Sequence, residues 1–143
     1  MDAYKVLLGE ILIQRKRISR AQLDAALKVQ KEKGGIIGEI LVNFGYLDER
    51  DIVVALVIQC GLPYIAVNKY TIDPQIVRLI PGEVARREKV IALDRIGEVL
   101  SVVMCNPLSD EQKNFLEGLT QCRVATFIST KAEIEEAIAR NYT

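Results

Sequence analysis

The sequence predicts an α+β protein, with an all-helical lobe of two tandem helical hairpins followed by a small α/β lobe of about three strands. Two observations carry this expectation. The stretch LLGEILIQRKRISRAQLDAALKVQ, from Leu7 to Gln30, recurs as IIGEILVNFGYLDERDIVVALVIQ, from Ile36 to Gln59, with KEKGG between the copies. Beyond Pro63 the hydrophobic period changes from helical to extended, with β-branched runs at Lys89–Asp94, Glu98–Cys105 and Cys122–Ile128. The expected division is residues 1–62 for the helical lobe and 63–143 for the α/β lobe.

Each element has a local reason. Leu7, Leu8, Ile11 and Leu12 form a helical stripe within Val6–Arg17. Arg15, Lys16 and Arg17 gather at its end, where cations complement the helix dipole. Ser19 with Gln22 is a capping-box pair that opens a second helix. Leu23, Ala26, Leu27 and Gln30 share one face of that helix, and Gly34-Gly35 stops it. The third helix, Ile36–Phe44, repeats the first and closes on Gly45. Asp48 caps the fourth helix as Ser19 caps the second. It ends at Cys60-Gly61, and Pro63 cannot extend it.

In the second lobe, Pro63–Val67 reads as a short extended segment. Asp73-Pro74 places an N-cap before a proline at the first helical position, predicting a short helix Pro74–Ile80. Pro81 restarts a helix through Glu88. Lys89–Asp94 and Glu98–Cys105 form a hairpin around the turn Arg95-Ile96-Gly97, and Asn106-Pro107 ends its second strand. Ser109 with Gln112 opens a helix to about Leu119, Cys122–Ile128 is a third strand, and Thr130 with Glu133 caps a last helix, Lys131–Asn141. The predicted order is α-α-β-β-α-β-α. Val67–Asp73 is the expected hinge between the lobes.

Composition restricts function. The formal net charge is zero, which argues against general attraction to a nucleic acid polymer or an acidic membrane. There is no histidine, so the commonest general base and metal ligand is missing, and no serine or cysteine nucleophile can have a histidine partner. Cys60, Cys105 and Cys122 stand far apart without a C-x-x-C and read as reduced, buried thiols of a cytosolic protein. MDAYKVLLGE has no signal-peptide pattern, and no apolar run approaches the ~20 residues of a membrane span. The phosphate cradles G-x-x-x-x-G-K-[ST] and G-x-G-x-x-G are absent. Asp48-Glu49 and Glu135-Glu136 read as solvated helix positions. No catalytic residue and no metal site is therefore expected. The cluster Arg86-Arg87-Glu88-Lys89 reads as a solvated face, with contact to a partner protein or a phosphate as the alternative.

The residues shared by both copies are the candidates for binding. Gly9 pairs with Gly38 and Gln30 with Gln59 when one copy is laid on the other without gaps. Glycine inside a helix costs roughly 1 kcal/mol against alanine, so two equivalent glycines need a reason. Close helix packing is the simpler one. The other is close approach of a ligand to the N–H groups of a helix start, which suit an anion. A glutamine amide, with donors and an acceptor, suits a nucleobase edge, although a glutamine at a helix end is commonly only a surface residue. Leu12, Leu23, Leu27, Leu41, Ile52 and Leu56 read first as core.

The duplicated pattern resembles the N-terminal domain of type II secretion and type IV pilus assembly ATPases, the GspE/PilB/MshE family, a domain often called MshEN. The match runs through Leu8, Gly9, Leu12, Ile13, Ile18, Leu23, Leu27 and Gln30, then Ile37, Gly38, Leu41, Val42, Gly45, Leu47, Ile52, Leu56 and Gln59. The later phrases QCGLPYIAV, IPGEVARREKVIAL and CNP also look like the family's. The resemblance implies a cytoplasmic, non-catalytic domain, peripheral to the inner membrane, that docks a motor onto a platform protein of a secretion or pilus machine. A C-terminal ATPase motor would be its other partner.

The resemblance further implies cyclic di-GMP as a ligand. It would be held by Leu8, Gly9, Leu12, Leu23, Leu27, Gln30, Ile37, Gly38, Leu41, Ile52, Leu56 and Gln59. This chain departs from the family where each copy opens. Leu7 and Ile36 replace an arginine, which would stack on a base and bond it bidentately, whereas Leu and Ile keep only dispersion contact. Lys16 replaces a turn glycine. The expectation is a degenerate cyclic di-GMP-type site, with a functional receptor or a stand-alone adaptor as alternatives.

Overall fold

The computed structural model describes the backbone of residues 3–142 and the side chains of residues 8–142. The side chain of Leu7, one of the two motif-opening positions, lies outside the described residues. The chain divides into two compact units, Met1–Gly61 and Leu62–Thr143.

The first unit holds four helices, α1 (Ala3–Gln14), α2 (Arg20–Lys33), α3 (Ile37–Asn43) and α4 (Glu49–Cys60). The second helix of each copy is opened by the expected cap. Gln22 N donates to Ser19 Oγ at 3.1 Å while Ser19 N donates to Gln22 Oε1 at 2.9 Å. Asp51 N donates to Asp48 Oδ1 at 3.0 Å, while Asp48 N donates to Asp51 Oδ2 at 3.2 Å. Such reciprocal pairs satisfy two of the donors that a helix start leaves orphaned. Packing crosses the copies: α1 lies on α4, and α2 on α3. Leu8, Leu12, Leu41 and Leu56 are completely buried, so each copy supplies the apolar cover the other needs.

α1 stops at Gln14, short of the expected Arg17, because the chain folds back on itself. Arg17 N donates to Leu12 O at 3.0 Å and Lys16 N to Ile13 O at 2.9 Å. Those two bonds, with Lys16 at φ 61°, make a Schellman turn. The second copy repeats it, with Tyr46 N donating to Leu41 O, Gly45 N to Val42 O, and Gly45 at φ 78°.

The second unit contains α5 (Pro74–Val77), α6 (Gly82–Glu88), β1 (Val90–Ile96), β2 (Val99–Met104), α7 (Asp110–Thr120), β3 (Arg123–Ile128) and α8 (Lys131–Asn141). β1 and β2 pair antiparallel, β2 and β3 parallel, in the order β1-β2-β3. The parallel step needs a crossover, which α7 provides. β1 runs further than expected. Ile96 pairs with Val99, so the hairpin loop is Gly97-Glu98. Gly97 has φ 59°, a first loop position that suits glycine. A register shift between Ala92 and Asp94 leaves Leu93 as a bulge. α5 is shorter than expected, since Leu79 N bonds to Ile76 O and Ile80 N to Val77 O. These tight turns end the helix before Pro81, which has no N–H to continue it.

Val67–Asp73 is not a hinge. It lies wholly inside the second unit, where Val67 is buried and its N–H donates to Ser129 Oγ at 3.2 Å. Ser129 Oγ in turn donates to Ile65 O. Asn68 Nδ2 reaches Glu136 Oε2 at 2.9 Å, and Arg140 bonds the Asn68 and Tyr70 carbonyls. Pro63–Ile65 lies beside β3, with Ile65 N donating to Ile128 O and Ile128 N to Pro63 O, both at 2.9 Å. The lead-in segment is thereby fixed to β3 and α8. Among the cysteines, Cys105 and Cys122 are buried as expected, but Cys60 is exposed, because it ends α4 on a solvated turn.

Candidate functional site

The twelve candidate positions all lie in the first unit, and the helix caps and Schellman turns set their directions. Leu8, Gly9, Leu12, Leu23, Ile37, Gly38, Leu41 and Leu56 are buried, and Ile52 is only 9% exposed. Leu27, Gln30 and Gln59 are partly exposed. Most of the apolar candidates therefore build the core, and Leu27 with the two glutamines forms the accessible part of the set.

The glycines have a packing reason. A Cβ on Gly9 would stand 2.7 Å from Leu23 Cδ2 and 2.9 Å from Leu23 Cδ1. On Gly38 it would stand 3.3 Å from Ile52 Cδ1 and Ile52 Cγ2. Leu23 and Ile52 are themselves equivalent positions of the two copies. The same glycine-under-apolar contact thus occurs twice, as the repeat requires, and the absent Cβ is filled from within the unit.

The glutamines sit at the ends of α2 and α4. Gln30 Nε2 donates to Gly35 O at 2.9 Å, within the linker between the copies. The carboxamide oxygen of Gln59 is withdrawn from solvent. Ile36, the second motif-opening position, is 37% exposed and begins α3 without a side-chain cap. An apolar side chain in that place offers a neighbour no hydrogen bond.

Two features were not legible beforehand. The sequence marks Gly35 only as a helix stop, yet in the structure its carbonyl accepts a bond from Gln30 Nε2. Its sequence signal was the doubled glycine in the linker, where positive φ values recur. Arg20 makes a fork pair with Glu10, at 2.8 Å and 3.1 Å. Hydrogen bonding to Glu10, reinforced by its charge, pushes the Arg20 guanidinium above its ordinary value. That pair ties α1 to α2 on the surface, and its charges are satisfied by one another.

The basic cluster of the second unit is already engaged. Arg86 Nη2 donates to Tyr142 O at 2.7 Å, with its guanidinium over the Tyr142 ring. Arg87 lies over the Phe115 ring and 3.7 Å from Glu88, and Lys89 Nζ is 3.2 Å from Glu135. Among the described residues, no group of three or more His, Cys, Asp or Glu could hold a metal ion, and no helix is long and apolar enough to cross a membrane.

The MshEN domain family matches residues 60–143. The type IV pilus assembly ATPase PilB of Myxococcus xanthus is 35% identical over 135 residues, which is 94% of this chain and 24% of that protein. The chain thus spans about a quarter of the length of that curated relative. A solved structure of MshE with cdg superposes with a TM-score of 0.81 at 28% identity, covering 94% of this chain and 98% of that one. The N-terminal domain of XpsE superposes with a TM-score of 0.83 at 16% identity, covering 100% and 99%, and has the same α+β fold.

Proposed function

The chain belongs to the MshEN domain family, a non-catalytic domain of pilus and secretion ATPases, and from that membership we propose that it is an N-terminal regulatory and docking domain with a weakened cyclic di-GMP-type site. It works in the cytoplasm, peripheral to the inner membrane, between an ATPase motor and a platform protein of the pilus or secretion machine. Its own residues perform no bond-making step: they bind and they transmit.

The observation that carries this reading is the duplicated hairpin. Both copies contain the same Schellman turn, and both place a glycine beneath a large apolar side chain of the next helix. A unit built twice offers matched surfaces to a twofold-symmetric ligand, and cyclic di-GMP has that symmetry. The likeness to MshE with cdg, read as cyclic di-GMP, supports the same ligand class. The weakening follows from Leu7 and Ile36. A charge-assisted hydrogen bond contributes about 1.5–3 kcal/mol, and an arginine at the opening of each motif would supply one per copy.

Isothermal titration of this chain with cyclic di-GMP tests the proposal. The expected dissociation constant is weaker than micromolar. Micromolar or tighter binding would overturn the degenerate site and make the chain a working receptor. Co-purification of platform components with the chain tests docking. Their consistent absence would favour a stand-alone adaptor.

A further inference from the structure

We propose that one end of the first unit is a self-association surface, on which a second copy of this chain seats its cations against Phe44 and Tyr46 about a twofold axis. The two Schellman turns share their hydrogen bonds and their left-handed position. Their side chains differ. The alignment that lays Gly9 on Gly38 lays Arg15 on Phe44, Lys16 on Gly45 and Arg17 on Tyr46. One turn carries three cations where the other carries two aromatic rings.

Packing within the chain explains neither set. Arg15, Lys16 and Arg17 are exposed, and among the described residues only Arg17 of the three forms an ion pair, with Asp51. Lys16 holds its left-handed angle with a Cβ, a backbone cost that the glycine of the other turn avoids. Strain kept at an exposed residue points to a use for its side chain. Phe44 is 43% exposed, and its ring stands across that of Tyr46 with 5.5 Å between centroids. Among the described residues, guanidinium groups lie over Tyr142 and Phe115, and none lies over Phe44 or Tyr46.

Both turns stand at the same end of the unit. α1 lies on α4 and α2 on α3. Arg17 Nε is 3.3 Å from Asp51 Oδ1 in the first turn of α4, and α4 begins just beyond the second Schellman turn. A cationic half and an aromatic half therefore share one surface. Two copies meeting there about a twofold axis lay each cationic half on the other's aromatic half, so the contact is made twice and the pair closes. Aromatic faces attract such cations. An acidic partner would engage the cations and leave the rings uncovered. The formal net charge of zero gives no long-range pull toward an acidic membrane, and self-pairing needs none. Few side chains take part, so the expected dissociation constant is between about 0.1 and 1 mM. The proposal does not depend on the nucleotide reading above.

Sedimentation equilibrium and NMR of this chain, from micromolar to millimolar concentration, test the proposal. Phe44→Ser, and Arg15→Ser combined with Lys16→Gly, should each weaken the dimer about tenfold, because symmetry removes each contact twice. Arg17 stays in place so that its ion pair with Asp51 survives. Mixed together, the two variants should associate about threefold more tightly than either does alone. The mixture restores one of the two contacts, the rings of the second variant on the cations of the first. Phe44→Leu keeps apolar bulk without the ring and should lose as much as Phe44→Ser.

A chain that stays monomeric across the range, variants that gain nothing on mixing, or a Phe44→Leu chain that pairs like the native one would each overturn the proposal. A monomeric chain that instead sediments with phosphatidylglycerol vesicles, and no longer does so with Arg15→Ser and Lys16→Gly, would assign this end to a membrane and overturn it as well.

Discussion

Gly9 lies directly beneath Leu23: a Cβ added to the glycine would stand 2.7 Å from Leu23 Cδ2, closer than carbon atoms pack. Leu23 is itself buried, so its tip has little room to withdraw. Overpacking of this kind costs about 1–3 kcal/mol, offset by roughly 1 kcal/mol of helix propensity gained from replacing glycine. Gly9→Ala should therefore destabilise the chain by about 1 kcal/mol net. Gly38→Ala meets Ile52 only at 3.3 Å and should fall within about 0.5 kcal/mol of neutral. Urea midpoints at constant slope compare the two. An equal effect at both sites would mean that Leu23 repacks freely and that the first contact is not the tighter one.

The two Schellman turns differ in a single residue type at their left-handed position. Lys16 sits at φ 61° where the second copy has Gly45 at φ 78°. A left-handed residue with a Cβ carries about 1–2 kcal/mol of strain, partly offset by the extra unfolded-state freedom that glycine would bring. Lys16→Gly should stabilise the chain by about 0.5–1 kcal/mol. Gly45→Lys should destabilise it by about 1 kcal/mol. Thermal and urea unfolding of both variants check the pair. Stabilisation by Gly45→Lys would show that the second turn does not depend on its left-handed residue.

The features most legible in the sequence were those set by local chemistry. Ser19 with Gln22, Ser109 with Gln112, and Thr130 with Glu133 are each recognisable three residues apart, and each forms the reciprocal bonds expected. The duplication was legible because packing demands the same residue types at equivalent depths. What escaped depended on partners distant in sequence. The packing partners of Gly9 and Gly38 cannot be chosen from helix periodicity alone. Val67–Asp73 carries no capping or periodic signal in the sequence; a single 3-10 turn, with Tyr70 N donating to Val67 O, and the distant Ser129, Glu136 and Arg140 hold it in place. The basic run at Arg86–Lys89 does lie on a solvated face, with Arg86 and Arg87 exposed; only its contacts are not legible locally, because Tyr142, Phe115 and Glu135 lie far along the chain.

Tyr142 closes the second unit chemically. Its hydroxyl donates toward Val77 O at 2.9 Å and Ile80 O at 2.7 Å, so the end of α8 is pinned to α5 and the turn after it. Burial pushes its phenol up to about 12, with Arg86 opposing the rise. In the unfolded chain a tyrosine titrates near ~10. The folded form thus holds its proton more tightly. The stabilisation is complete below about pH 10 and is lost as the pH rises toward about 12. Tyr142→Phe should lower stability by about 1–2 kcal/mol at neutral pH, the usual effect of leaving buried acceptors without their donor. Its stability should also fall less steeply than the native chain's between about pH 10 and 12. Parallel pH profiles for the two chains would show that the hydroxyl is not the group responsible.

Restoring the missing cation to the nucleotide site proposed above should be visible in binding. Ile36 is exposed at the start of α3, so an arginine there can extend into solvent without disturbing the core. A charge-assisted bond to a base or phosphate contributes about 1.5–3 kcal/mol, which corresponds to roughly tenfold or more in affinity. Ile36→Arg should therefore tighten cyclic di-GMP binding at least about tenfold in titration calorimetry, and Leu7→Arg added to it should tighten it again. The gain should shrink in high salt, as an ion contact partly open to water does. The stability of the Ile36→Arg variant should change little, because that side chain is already exposed. An arginine that leaves the affinity unchanged would show that this position does not face the nucleotide, and the account of why the site is weak would then fail.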